Sequence, residues 1–175
     1  MLEINNTTGE KVNAKKLRAI AGKFSCAYKQ SDDVSLALVG PDRMKSLNRQ
    51  YRGIDKATDV LSFTKEREIV INIADAKKFE KYQEMFLEPG MNIRTASKVT
   101  SKDATGAAGK KTVTGATGAA RKKRLSEYLL YFLFVHGLLH LAGYDDKTET
   151  GRREMIKRGR DFLKKIGLRY PQIDF

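Results

Sequence analysis

The chain has little cysteine, little histidine, a deficit of acid and no long apolar run, and each shortage narrows what it can be. A single cysteine, Cys26, excludes an intrachain disulfide and fits a reducing compartment, with the thiol expected simply to pack. No apolar run approaches the ~18 residues of a membrane span, and the opening MLEINNTTGE lacks the basic-then-apolar pattern of a secretion signal. The expectation is a cytoplasmic protein with no membrane partner. Acid is outnumbered, 21 aspartates and glutamates against 34 lysines and arginines, for a formal net charge of +13. Such a balance suits a polyanion such as RNA or an anionic membrane surface, and solubility alone does not require it. With 175 residues, 41% of them hydrophobic, the chain can bury one real core and is read as a single domain over 1–175.

Histidine occurs twice, at His136 and His140. A four-residue spacing stacks both imidazoles on one face of a helix, one turn apart, which is how a helix offers two metal ligands. The run before them, Leu129 to Val135, is apolar on all sides and predicts a central buried helix whose histidine end reaches a cleft. Gly143 supplies the C-terminal stop, because glycine takes the left-handed conformation there without penalty. Past it, Tyr144, Asp145 and Asp146 can fold back toward the imidazoles. The pattern His136-x3-His140-x2-Gly143-x2-Asp146 has the spacing of a metzincin zinc site, with Gly137 in place of the Glu general base and Asp146 in place of the third His. Two His and one Asp still meet zinc's need for three protein ligands with a fourth position open. The competing reading is a pair of hydrogen-bonded core histidines; the pair, the helix stop and the carboxylate arriving together favour the metal.

HGLLHLAGYDD is similar to the HGxLHLxGYDH signature of the YbeY-type family, the single-strand-specific endoribonucleases and ribosomal RNA maturation factors of bacteria. LNRQYRGIDKATDVLSF, from Leu47 to Phe63, resembles that family's other hallmark, an Asn-x-x-Tyr-Arg segment followed by Thr-Asp-Val-Leu-Ser-Phe. The resemblance runs from the N-terminus to about Phe86 and again from about Leu125 to Leu168. It implies a small mixed sheet with the histidine helix central, a zinc ion, a ribosomal RNA substrate and the small ribosomal subunit as partner. It also places the family's functional arginine on Arg52. The chain departs from the pattern at Asp146, at Thr64, where the family has proline, and in a shortened link to the next strand.

The remaining elements read as an α+β fold, one sheet with helices packed on it. Leu2 and Ile4 alternate as in a strand, and Asn13 can cap a helix carrying Leu17, Ile20, Ala21, Phe24 and Ala27. Ser35 to Val39 is a buried-type strand. Pro41-Asp42 opens a helix with Met44, Leu47 and Tyr51 on one face, closed by Gly53, so Arg52 sits at its C-terminus. Val60 to Phe63 and Ile69 to Ile73 read as strands joined by a charged turn, and Ala74 to Phe86 as a helix. The last helix runs from about Glu149 to Ile166, with Met155, Ile156, Phe162, Leu163 and Ile166 for packing. Arg152, Arg153, Lys157, Arg158, Arg160, Lys164 and Lys165 lie around them, either solubilising the helix or tracking a phosphate backbone.

Residues 88–126 are different material, glycine, alanine, threonine, serine and lysine with hardly any large apolar side chains, and are expected to form a disordered or weakly ordered basic insertion. Its near repeat, ATGAAGKK and ATGAARKK, is too short for a solenoid, and Gly109-Lys110 lacks both the first glycine and the following Ser or Thr of a phosphate loop. The quartet Arg121, Lys122, Lys123 and Arg124 is either a solvated run or an RNA contact.

A mechanism follows as an expectation. An ion on His136, His140 and Asp146 would polarise a phosphoryl oxygen or lower the pKa of water toward ~7. Arg52 would clamp the phosphate with its planar fork, although a cation at a helix C-terminus is favourable on its own account. Asp145 is either a base or a brace for the Gly143 turn. Three function classes remain: an RNA hydrolase; a metallopeptidase, weakened by the missing Glu at Gly137; and a ribosome-associated binding factor with a structural or lost metal.

Overall fold

Alternating side chains on two central strands decide the architecture. In β2 (Val34–Val39) and β4 (Glu68–Asn72), Leu36, Leu38, Ile69 and Ile71 point into one core, whereas Ala37, Val39 and Val70 point into another. A strand with both faces apolar needs cover on both sides. The computed structural model, which describes residues 1–31, 33–78, 82 and 118–170, supplies it as three layers. The sheet runs β1-β2-β4-β3, with β1 (Leu2–Asn6), β2 and β4 parallel and β3 (Val60–Phe63) antiparallel to β4 at the edge. Leu36 lies opposite Ile69, and Leu61 opposite Val70. The fold is α+β with one small mixed sheet.

On one face lie α1 (Ala14–Tyr28), α3 (Gly118–Leu141) and α4 (Glu149–Lys165); α2 (Pro41–Arg52) covers the other. Every residue of α3 from Tyr128 to Val135 is buried, as its all-round apolar sequence requires. Each large side chain among them contributes about 1.5–3 kcal/mol by leaving water. Gly137 is where α3 crosses β4. A Cβ there would stand 2.7 Å from Ile69 Cγ2, so only glycine allows this approach. Gly159 plays a related part on α4, where an added Cβ would meet Phe132 at 3.2 Å.

The caps follow sequence rules. Asn13 accepts the Lys16 amide at 3.0 Å, Thr148 accepts the Gly151 amide at 3.0 Å, and Gly53 closes α2 at φ 70°. The β3–β4 turn closes through Arg67, held at φ 52° by bonds from its guanidinium to the Asp33 and Ser31 carbonyls, each at 2.9 Å.

Four expectations need correction. The residues expected to be helical from Ala74 begin as a 3-10 turn, Asp75–Lys77, and of the rest only Tyr82 and Lys78 lie within the described residues. The supposedly disordered insertion ends earlier than expected, because 118–126 belong to α3; residues 88–117 lie outside the described residues. Cys26 is exposed on α1 rather than packed, and Ala27 is exposed beside it, the core stripe ending at Phe24 and half-buried Tyr28. On α2, Met44 is buried and Leu47 half-buried, but Tyr51 is 57% exposed, its ring meeting only the end of edge strand β3, at Phe63, among the described residues. Among the described residues no helix is long and apolar enough to cross a membrane.

Candidate metal centre

The last turn of α3 aims the site. Beyond Leu141, the Gly143 amide donates to the His140 carbonyl and the Tyr144 amide to the Leu139 carbonyl, both at 3.0 Å, with Gly143 at φ 91°. This paired pattern reverses the chain and satisfies carbonyls that the helix end leaves free. Tyr144 fixes the exit by packing its ring edge-to-face on Tyr28, centroids 6.1 Å apart, beneath the Arg158 guanidinium at 4.7 Å. Two residues later Asp146 arrives beside the imidazoles.

His136 Nε2 lies 3.3 Å from Asp146 Oδ2, and His140 Nε2 lies 3.8 Å from Asp146 Oδ1. One ligand atom from each of the three falls within 4.8 Å of the others, so the group could hold a metal ion. His140 Nδ1 sits 3.1 Å from the Tyr144 carbonyl. A carbonyl only accepts, so Nδ1 carries a proton and Nε2 is the nitrogen turned toward the carboxylate. His136 is buried, and burial first, then His140, hold its pKa below the usual imidazole value against the opposing pull of Asp146. Its Nδ1 is buried without a hydrogen-bond partner among the described residues. A neutral imidazole with Nε2 turned to the carboxylate is the form a metal needs, and two nitrogens with one carboxylate oxygen is a donor set that zinc accepts.

Asp145 turns the other way. Its carboxylate accepts the Lys147 amide at 3.0 Å and pairs with the Lys147 ammonium at 2.9 Å, which holds its pKa below the usual carboxylate value. The structure therefore separates two adjacent aspartates, one facing the histidines and one facing its own turn. The Asp145 carbonyl would lie 2.5 Å from a Cβ on Gly151, so α4 starts tightly against this turn.

These residues line a cleft of about 760 Å³ that also takes in Arg52, Lys147 and Arg152. The Arg52 guanidinium makes no hydrogen bond or ion pair with the described residues. Arg152 thus joins the site, whereas Arg153 pairs with Glu149 at 2.5 Å on an exposed face of α4. Lys122, Lys123 and Arg124 are exposed near the start of α3, about 20 Å along the helix from the histidines at ~1.5 Å per residue. Arg121 occupies the same helical turn, and its side chain lies outside the described residues.

Sequence reasoning gave no role to three residues that shape this cleft. Asp59, of the Thr-Asp-Val segment, accepts from Tyr82 Oη at 2.7 Å and from Thr58 Oγ1 and the Val60 amide, each at 3.1 Å. Burial and then Asp59 push the Tyr82 hydroxyl far above its usual pKa. Asn48 is buried and donates to the Lys56 carbonyl at 2.6 Å, tying down the loop that leaves Arg52. The Leu47–Phe63 block contained both Asn48 and Asp59; nothing local marked Tyr82.

Comparison with known proteins identifies the family of the chain. A family model described as endoribonuclease YbeY matches residues 2–96 and 112–167, extending further into the polar insertion than the two sequence blocks did. Geobacillus kaustophilus endoribonuclease YbeY is 31% identical over 95% of this chain and 93% of its own, and the Nautilia profundicola protein of the same name is 32% identical over 96% and 93%. A Thermotoga maritima protein solved in solution aligns over 95% of this chain and 89% of its own, with a TM-score of 0.48 and 24% identity. The chain belongs to the endoribonuclease YbeY family.

Proposed function

We propose that the chain is a metal-dependent endoribonuclease that hydrolyses phosphodiester bonds of single-stranded RNA, acting in the cytoplasm on ribosomal RNA of the small subunit during its maturation and quality control. The observation that carries the reading is the convergence of His136 Nε2, His140 Nε2 and the Asp146 carboxylate in one cleft with Arg52, which pairs with none of the described residues. The family's name supports RNA as substrate, and the net charge of +13 supports a polyanion.

A divalent ion held there, zinc by donor preference, supplies Lewis acidity toward a phosphoryl oxygen and toward water. The chain supplies the rest. The Tyr144 carbonyl fixes the His140 tautomer, and burial keeps His136 neutral. Arg52 offers two parallel N–H donors to a phosphate, whose growing charge they stabilise. Asp145 braces the turn through Lys147, and Asp59 has both carboxylate oxygens in hydrogen bonds, so neither is poised as a base. The peptidase alternative loses support because the position of the required Glu is Gly137, where a side chain would collide with Ile69.

The test is cleavage of a single-stranded RNA, its duplex and casein by purified protein, with chelator and after zinc is restored. The expected outcome is cutting of the single strand alone, lost with chelator and regained with zinc. Chelator-resistant cutting would remove the metal from the mechanism; RNA binding without cutting would make the chain a binding factor.

A further inference from the structure

The cleft has an aromatic feature that phosphate chemistry leaves unused. Tyr51, one residue before Arg52, is 57% exposed, although Met44 and Leu47 on the same stripe of α2 go into the protein. Among the described residues its ring partner is Phe63 at the end of β3, centroids 4.9 Å apart and planes at 69°. Such an edge-to-face contact occupies a single face of a single ring, and Phe63 is itself seated against the Met44 core while Tyr51 keeps more than half of its surface exposed. Both rings line the same cleft as Arg52 and His136.

We propose that Tyr51, backed by Phe63, is a stacking subsite for an unpaired nucleobase of the RNA strand whose phosphate Arg52 holds; this rests on the nuclease reading above. Every base presents a π-face, so the subsite takes any base that is free of a partner and rejects one enclosed in a helix. The neighbourhood fits a nucleotide rather than an apolar partner, because Arg52, Lys147 and Arg152 line the cleft with the aromatic pair. The chain would then distinguish single from double strands at the binding step, with Arg52 and Tyr51 reading backbone and base side by side.

The experiment measures affinity for an uncleavable single-stranded oligonucleotide carrying 2-aminopurine, for the same strand with one abasic position, and for its duplex. Proteins compared are the wild type, Tyr51→Leu and Tyr51→Phe, each checked for folding by thermal melting. Tyr51→Leu should weaken single-strand binding by about 5- to 100-fold, the range expected for one lost base stack, and leave duplex binding as it was. It should also abolish the quenching of 2-aminopurine and the penalty for the abasic position. Tyr51→Phe keeps the ring and should keep the quenching. Equal affinity of Tyr51→Leu and wild type, equal losses on both RNAs, or a Tyr51→Phe as weak as Tyr51→Leu would each overturn the subsite while RNA cleavage by the wild type persists. A wild-type protein that neither binds nor cuts RNA would overturn the nuclease reading and the subsite with it.

Discussion

The cleft has two walls built on opposite principles. The α3 wall carries His136, His140 and Asp146 on a helix end locked by the Gly143 turn, with Phe132 and the core behind it. The α2–β3 wall carries Tyr51 and Arg52 at an exposed helix end, held from below by Asn48 and the Asp59–Tyr82 pair. Under the proposed mechanism one wall fixes donors that must meet an ion within tenths of an ångström, and the other leaves long side chains free to settle on a flexible strand. The difference implies that damage to the two walls should be separable, metal affinity and catalysis falling together on the first, and catalysis falling alone on the second.

The largest effect should come from the first wall. Asp146→Ala removes the only carboxylate of the group and should abolish cleavage and strongly weaken zinc binding, measured by titration calorimetry beside RNA cleavage. Asp146→His should keep the metal or tighten it, since an imidazole replaces a shorter, charged ligand with the one the family pattern has there. Normal activity in Asp146→Ala would break the comparison outright, because the buried wall would then be scaffold.

Next in size is Arg52→Lys. The charge stays and the planar fork goes, so cleavage should fall by roughly 10- to 1000-fold while zinc affinity and melting temperature stay at wild-type values. A variant that loses zinc or unfolds would show that the second wall is structural after all.

The two walls also differ in how plainly the sequence announced them. The buried helix was legible because Leu129 to Val135 is apolar on every side, and its stop was legible because Gly143 is the residue a left-handed turn needs. Gly137 was legible only as a missing Glu; its cause is Ile69 on a strand 68 residues earlier in the chain (137 − 69), which no local pattern reports. Tyr51 misled for a related reason. Helical periodicity puts it on the packing face, but where the sheet ends is a tertiary fact. The early start of α3 has a local explanation that composition concealed, since Ala, Arg, Lys and Leu in 118–126 are strong helix formers and extend a helix already nucleated by burial.

The smallest effect, and the sharpest use of the comparison, lies within two adjacent residues. Asp145 and Asp146 have the same chemistry and share a turn, yet one carboxylate points to Lys147 and the other to the histidines. If position alone decides function, Asp145→Ala should leave the zinc isotherm superimposable on wild type. It loses turn bonds to neighbouring backbone amides and an ion pair at a solvent-exposed site, where screening leaves little to lose. Cleavage should change correspondingly little, and raising the salt concentration should shrink even that difference. Loss of zinc in Asp145→Ala with retention in Asp146→Ala would move the ligand one residue back. The turn that follows Gly143 would then bind its ion in a geometry other than the one that brings Asp146 within 3.3 Å of His136.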